Sequence, residues 1–140
     1  MSRMLTTIGS VDVFRFLDVE KDVAVKIDTG ADRNSVHATG IKLVTKADGR
    51  KVLRFRLLKS KYLEFEDFDT VNVTSSNGMS EQRFKVKLSV EVFGKRYKTS
   101  FSLTNRKNMK FQVLIGKNFL KGRFLVDVSQ KNLSQKKLTQ

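Results

Sequence analysis

Val25-Lys26-Ile27-Asp28-Thr29-Gly30-Ala31-Asp32 is a short apolar run that ends in an acid, a small hydroxyl residue and a glycine. An aspartate at the end of a buried strand costs free energy unless something needs it there. Val23 to Ile27 is therefore read as a strand that delivers Asp28 into a turn, and the rest of the chain is read for what it adds to that turn.

Working outward, strand patterns recur and helical periodicity is scarce; there is no proline. Upstream, Val11, Val13 and Phe14 to Phe16 suggest an opening strand that ends near Asp18. Downstream, Ser35 to Ala38 and Ile41 to Thr45 read as two separate strands. Ala47-Asp48-Gly49-Arg50 is a hairpin turn, because Asp-Gly tolerates positive φ, and Val52 to Leu58 is the return strand. Lys59 to Asp69 reads as an edge strand or a mobile loop. Thr70 to Thr74 is β-branched, and Ser75-Ser76-Asn77-Gly78 is a turn. The clearest element follows. Phe84, Val86, Leu88, Val90 and Val92 alternate with Arg83, Lys85, Lys87, Ser89 and Glu91, the period of a half-buried strand. Gly94-Lys95 turns it back into a strand from Tyr97 to Leu103. Val113 to Gly116 is a buried strand, Lys117 to Leu120 a single helical turn near the C-terminus, and Phe124 to Asp127 a last strand. These elements predict an all-β class with about eight strands closed into a barrel.

The length of 140 residues predicts one domain with a true core, ordered from about residue 8 to 128. The basic tail at 129–140 has few apolar residues and is expected to be poorly ordered. No apolar run approaches the roughly 18 residues of a membrane span. Met1 to Ser10 lacks the pattern of a signal peptide. The absence of cysteine removes disulfide and thiolate chemistry, and a cytoplasmic location without membrane association is expected. Charge is the unusual bulk property. Lys and Arg number 28 against 14 Asp and Glu, a formal +14, and between Lys42 and Lys61 eight basic residues face one acid, Asp48. Such a field attracts polyanions, whether nucleic acid, ribosome or acidic peptide; a solubilising surface is the plainer reading.

Asp28-Thr29-Gly30 followed by Ala31 resembles the active-site signature of retropepsin-like aspartic proteases. Those proteases carry a second motif of two apolar residues and a glycine much later, matched here by Leu114-Ile115-Gly116. The resemblance narrows to the bacterial retropepsin-like family whose members bear the label ATP-dependent zinc protease. It runs from Lys26 through Ser35-Val36-His37-Ala38, resumes at Ser75 to Arg83, and continues from Leu103-Thr104-Asn105-Arg106 through Gly116 to Phe124-Leu125-Val126-Asp127, roughly residues 8 to 132. Two positions depart: Met79 stands where the family often has His, and Lys117 where it often has Arg. The chemistry argues against the label. One histidine, His37, no cysteine and no His-Glu-x-x-His helix give zinc no ligand set, and Gly116-Lys117 lacks the spacing of a phosphate-binding loop. No metal and no cofactor are expected, with His37 packed beside the active-site strand.

The resemblance implies an acid-protease fold and an aspartic endopeptidase. Asp28 is then the catalytic residue, and because the chain carries one Asp-Thr-Gly, its partner carboxylate must come from a second copy across a homodimer axis. Thr29 is implied to clamp the two loops across that axis, Gly30 to let the backbone approach the carboxylates, and Ala31 and Asp32 to line the cleft. Asp32 is expected to pair with Lys117, a point charge in place of a bidentate Arg. Ser35, Leu114, Ile115 and Gly116 are support residues. Val73 to Arg83, with Gly78 at its tip, is the candidate flap, an ordinary hairpin being the alternative; Glu81 and Arg83 are expected to meet substrate or each other. Family members often accompany ligases that add glutamates to proteins, so the basic charge would suit a glutamate-rich substrate such as a modified ribosomal tail. The alternative is a catalytically inactive basic barrel that binds peptide or RNA.

Overall fold

The computed structural model describes residues 4–135. Eleven strands are present among them: Thr6–Ile8 (β1), Val11–Phe16 (β2), Lys21–Asp28 (β3), Asn34–Thr45 (β4), Lys51–Leu57 (β5), Tyr62–Phe65 (β6), Asp69–Thr74 (β7), Ser80–Val92 (β8), Lys95–Thr104 (β9), Val113–Gly116 (β10) and Phe124–Val126 (β11). Lys117–Leu120 forms a one-turn helix, α1, and Leu133–Gln135 a 3-10 turn. The expected all-β barrel is present, with more strands than the expected eight.

Hydrogen-bonded neighbours run β10-β3-β2-β8-β9-β4, and β4 pairs back to β10. Six strands therefore close on themselves, which leaves no free edge within the ring. The closing strand is only four residues long. Val113 and Leu114 pair antiparallel with Val36 and Ser35, while Leu114 to Gly116 run parallel to Lys26 to Asp28. The period-two strand behaves as its pattern dictates: Val86, Leu88, Val90 and Val92 are buried, and Lys87 is exposed. With Phe14, Phe16, Val25, Phe101, Leu103 and Ile115 they fill the barrel. Burial of this kind contributes roughly 1.5–3 kcal/mol per large apolar side chain. Beneath α1 the same core continues. Phe119 meets Phe14 at 6.0 Å, Tyr97 at 5.2 Å and Phe124 at 6.0 Å, so the short helix is held by its aromatic anchor rather than by its own length.

Two expectations are corrected, and for Lys59 to Asp69 the edge-strand alternative is the one present. Ser35 to Ala38 and Ile41 to Thr45 are one strand, β4, interrupted by a register shift between Thr39 and Lys42. Gly40 sits in that shift at φ +60°, a conformation glycine adopts without a Cβ clash. The first half of β4 belongs to the barrel, and the second half pairs with β5, which in turn pairs with β6. Lys59 to Asp69 accordingly contains a short edge strand, β6, a turn on either side of it, and the first residue of β7. Beyond Asp127 the chain turns back onto the barrel. Asp12 is fully buried, and its carboxylate accepts the Val13 N–H at 2.7 Å, the Ser134 N–H at 3.2 Å and the Ser134 hydroxyl. Gln130 O accepts the Ser10 N–H and Val11 O accepts the Asn132 N–H, each at 2.8 Å. The segment expected to be a loose tail is thus docked as far as Gln135; residues 136–140 lie outside the described residues. No described helix is long and apolar enough to cross a membrane.

Candidate active site

Asp28 is the last residue of β3, with Gly116 opposite it on β10. The chain then leaves the sheet in a tight turn: Asp28 O accepts the Ala31 N–H at 3.2 Å, and Asp28 Oδ1 accepts the Gly30 N–H at 3.0 Å. One carboxylate oxygen is thereby oriented by its own loop, and the side chain remains half-buried rather than sealed. A Cβ at position 30 would stand 3.3 Å from Asp28 Oδ1, so glycine gives this carboxylate its room.

The loop is held from behind. Ala31 O accepts the Lys117 N–H at 2.8 Å and Asp32 O accepts the Asn118 N–H at 3.1 Å. Loop carbonyls therefore satisfy amides of the first turn of α1, which have no partner within the helix. Gly116 is buried in the same place. A Cβ there would lie 2.6 Å from Arg33 O and 2.8 Å from Arg33 N and C, contacts that only a hydrogen can occupy. The two motifs therefore touch through backbone, the second supplying the space the first needs.

Lys117 Nζ lies 3.1 Å from Asp32 Oδ1, the contact expected from the sequence; both side chains are more than half exposed, so the pair adds little stability. Leu114 is half-buried and Ile115 fully buried on β10, and Ser35 is buried opposite Leu114 and Ser102. The hydrogen bonds around Ser35 are made by its neighbour, Asn34, which sequence reading passed over. Asn34 Oδ1 accepts the buried Gly116 N–H at 2.9 Å, its amide donates to Ser100 O at 3.0 Å, and its own carbonyl accepts the Ser102 hydroxyl at 3.3 Å. One side chain joins β4, β9 and β10. A polar residue at the threshold of an apolar strand was the available signal.

The candidate flap is a hairpin. Val73 pairs with Glu81 and Thr74 with Ser80, and the turn between them has Gly78 at φ +84°. Glu81 and Arg83 meet each other, Arg83 Nε standing 2.5 Å from Glu81 Oε1. Val73, Ser75, Met79, Ser80, Glu81 and Arg83 line a cavity of about 260 Å³.

Two further groups shape the electrostatics. His37 is buried in β4, with β10 between it and β3, and its Nδ1 accepts the Arg106 N–H at 2.8 Å. Burial first, then the positive charges of Lys59 and Arg106, hold its pKa below the ordinary imidazole value. With that nitrogen occupied, cations on either side, and no cluster of three His, Cys, Asp or Glu among the described residues, the donor set does not fit zinc. Arg106 itself was missed as a site residue, being one more cation in a basic chain. It is half-buried on the loop before β10, and Asp28 is the carboxylate whose charge favours its protonated form.

The RimB-like family model, described as retropepsin-like aspartic endopeptidase RimB, matches residues 8–137. A protein of Shewanella pealeana named probable alpha-L-glutamate ligase is 30% identical over 115 residues, which are 77% of this chain and 25% of that protein. A protein of the same name from Shewanella halifaxensis is 29% identical over 115 residues, with the same shares. The chain thus spans about a quarter of the length of these curated relatives. Among solved structures, a Legionella pneumophila protein of unknown function superposes with a TM-score of 0.72 at 24% identity, over 92% of this chain and 98% of that one. That likeness concerns the fold.

Proposed function

We propose an aspartic endopeptidase activity for this chain from the premise that it belongs to the RimB-like family, the retropepsin-like aspartic endopeptidases. The observation that carries the reading is the placement of Asp28 at a strand end, half-buried, with one oxygen held by the Gly30 N–H and Gly116 fitted behind it.

Peptide hydrolysis by aspartates needs two carboxylates that share a proton. Two such groups about 3 Å apart cannot both ionise, so one serves as base and the other as acid. Each chain offers one Asp28, and the proposed catalyst is a homodimer with its axis between the two. One Asp28 removes a proton from a bridging water, which attacks the scissile carbonyl. The other donates a hydrogen bond to the carbonyl oxygen and then helps to protonate the leaving amine. Thr29, exposed at the start of the turn, is assigned to the contact between the two loops. Ala31 and Asp32 are assigned to the cleft, with Lys117 steadying Asp32, and the β7–β8 hairpin with Gly78 covers bound substrate. The group named zinc in the family label takes no part in this scheme.

The substrate class proposed is a glutamate-rich protein segment. A formal +14 charge draws such a chain in, and relatives that carry a segment similar to this one bear a name that concerns glutamate ligation. Asp28→Asn is expected to lower peptide cleavage by about a hundred- to ten-thousandfold with the far-ultraviolet dichroism unchanged. Cleavage that persists in that variant removes the mechanism. Equal rates on oligoglutamate-tailed and neutral peptides at low salt remove the substrate class. The basic surface alone favours the second reading, a silent barrel that binds RNA or acidic peptide; it predicts salt-sensitive RNA binding that Asp28→Asn leaves unaltered.

A further inference from the structure

The loop that carries Asp28 also borders a cavity of about 210 Å³. Asp32 and Arg33, the last two residues of that loop, line it together with Asn34, the first residue of β4. Asn118 closes it from α1, its N–H held by Asp32 O at 3.1 Å. Lys85 enters from β8. The volume exceeds the roughly 30 Å³ share of one water and falls short of the roughly 300–1,000 Å³ of a drug-sized ligand site. It is the scale of one side chain.

Three charged side chains line this cavity, and only one is matched. Asp32 has Lys117, whose Nζ stands 3.1 Å from its Oδ1. Among the described residues, the side chains of Arg33 and Lys85 form no ion pair or hydrogen bond. Lys85 is half-buried, with Ser102 opposite it on β9 and Asp69 opposite it on β7. Asp67 and Asp69 border a neighbouring cavity that Lys85 also lines, yet neither acid takes its charge. The neutral wall is fixed from within: the Asn34 amide donates to Ser100 O at 3.0 Å, and the Ser102 hydroxyl donates to Asn34 O at 3.3 Å. Thr99 Oγ1, also in the lining, accepts the Asn34 amide at 3.5 Å, which leaves its own O–H able to donate to a guest. Two uncommitted cations and a hydroxyl over a fixed wall favour an anion.

We propose that this cavity is a substrate subsite in which Arg33 and Lys85 receive the carboxylate of an acidic side chain. The inference rests on the peptidase reading and names where that site selects its substrate. Arg33 ends the loop that Asp28 begins, so an extended peptide laid across Asp28 reaches the cavity within about five residues of the cleaved bond. The guanidinium fork of Arg33 orients the carboxylate, and Lys85 adds a point charge.

The test is binding rather than turnover. A fluorescent, C-terminally amidated peptide with a run of glutamates and its glutamine counterpart are titrated against the Asp28→Asn protein by anisotropy. The glutamate peptide is expected to bind about tenfold more tightly. Adding Arg33→Gln or Lys85→Gln should lower that ratio to about threefold, and both together should bring it near one. Lys85→Arg should keep most of it. Lys95→Gln, which removes the same charge at the turn of the β8–β9 hairpin, should leave the ratio unaltered. Arg33→Gln changes an exposed side chain that bonds nothing, and it carries the test should Lys85→Gln fail to fold. A ratio near one before either change, a ratio that neither variant lowers, or an equal loss on Lys95→Gln overturns the subsite. Peptides with a free C-terminus are run alongside. If the variants weaken only those, the carboxylate bound is the chain end and the side-chain assignment falls. Failure of the peptidase reading appears elsewhere, as absence of hydrolysis by the unaltered protein.

Discussion

Gly116 and His37 show how much a single side chain, or its absence, decides here. Alanine at 116 places a carbon 2.6 Å from Arg33 O. The obstacle is backbone, not a flexible side chain tip, so the loop that carries Asp28 must move. Gly116→Ala is expected to cost about 1–3 kcal/mol, read from urea unfolding, and to lower cleavage by more than its effect on stability explains. His37 sets a pH window. Its folded pKa is depressed by burial, Lys59 and Arg106 below the ordinary 6.5, so the unfolded chain takes the proton more readily. Stability from neutral His37 is then complete above pH 6.5 and is lost as pH falls from there toward the folded pKa. It is the only histidine in the chain, and carboxylates such as Asp48, Glu64 and Asp127 have pKa values held low by their hydrogen bonds. The unfolding midpoint should therefore drop as pH falls below 6.5, and His37→Gln should flatten that drop. An equal drop in the variant assigns it to other groups.

At the scale of elements, β4 is where sequence and structure part. Its two halves read as separate strands because Gly40 interrupts the apolar pattern, whereas the backbone continues through it with a register shift. A Cβ at Gly40 would meet Tyr62 Oη at 2.7 Å as well as the unfavourable φ. The ring is 46% exposed and able to swing away, at the loss of its stacking with Arg54, whose Cζ lies 3.9 Å from the ring centroid. Gly40→Ala is expected to cost about 1–2 kcal/mol, most of it backbone, by thermal or urea unfolding; a neutral result would mean the bulge relaxes. The period-two pattern of Phe84 to Val92 was legible because alternation is local. The pairing of Val113 to Gly116 with both β3 and β4 was not, because nothing within four residues says which distant strands flank them. The same limit hid Asn34, whose partners Ser100 and Gly116 lie 66 and 82 residues away, and the docked segment at Ser134. Few apolar residues there suggested a loose tail, yet the contact is polar, through buried Asp12.

At the scale of the molecule, the proposed reaction asks for something one chain lacks. Asp28 has a strand end, a bonded loop and a fitted glycine behind it, all local or motif-level features that the sequence made readable. A second carboxylate is the missing part, and the proposed homodimer would supply it. Mixing tests this without a structure of the complex. When unaltered and Asp28→Asn chains are combined in equal amounts and left to exchange, about a quarter of the dimers carry two Asp28 residues, by random pairing of a symmetric dimer. If both carboxylates are needed, cleavage per total chain falls to about that fraction of the unmixed rate. Chains that act singly, or that do not exchange, give about half by simple dilution of active chains. Tagged subunits, co-purified after mixing, separate the last two cases. A half-rate from demonstrably mixed dimers would place both catalytic groups within one chain and end the shared-dyad mechanism.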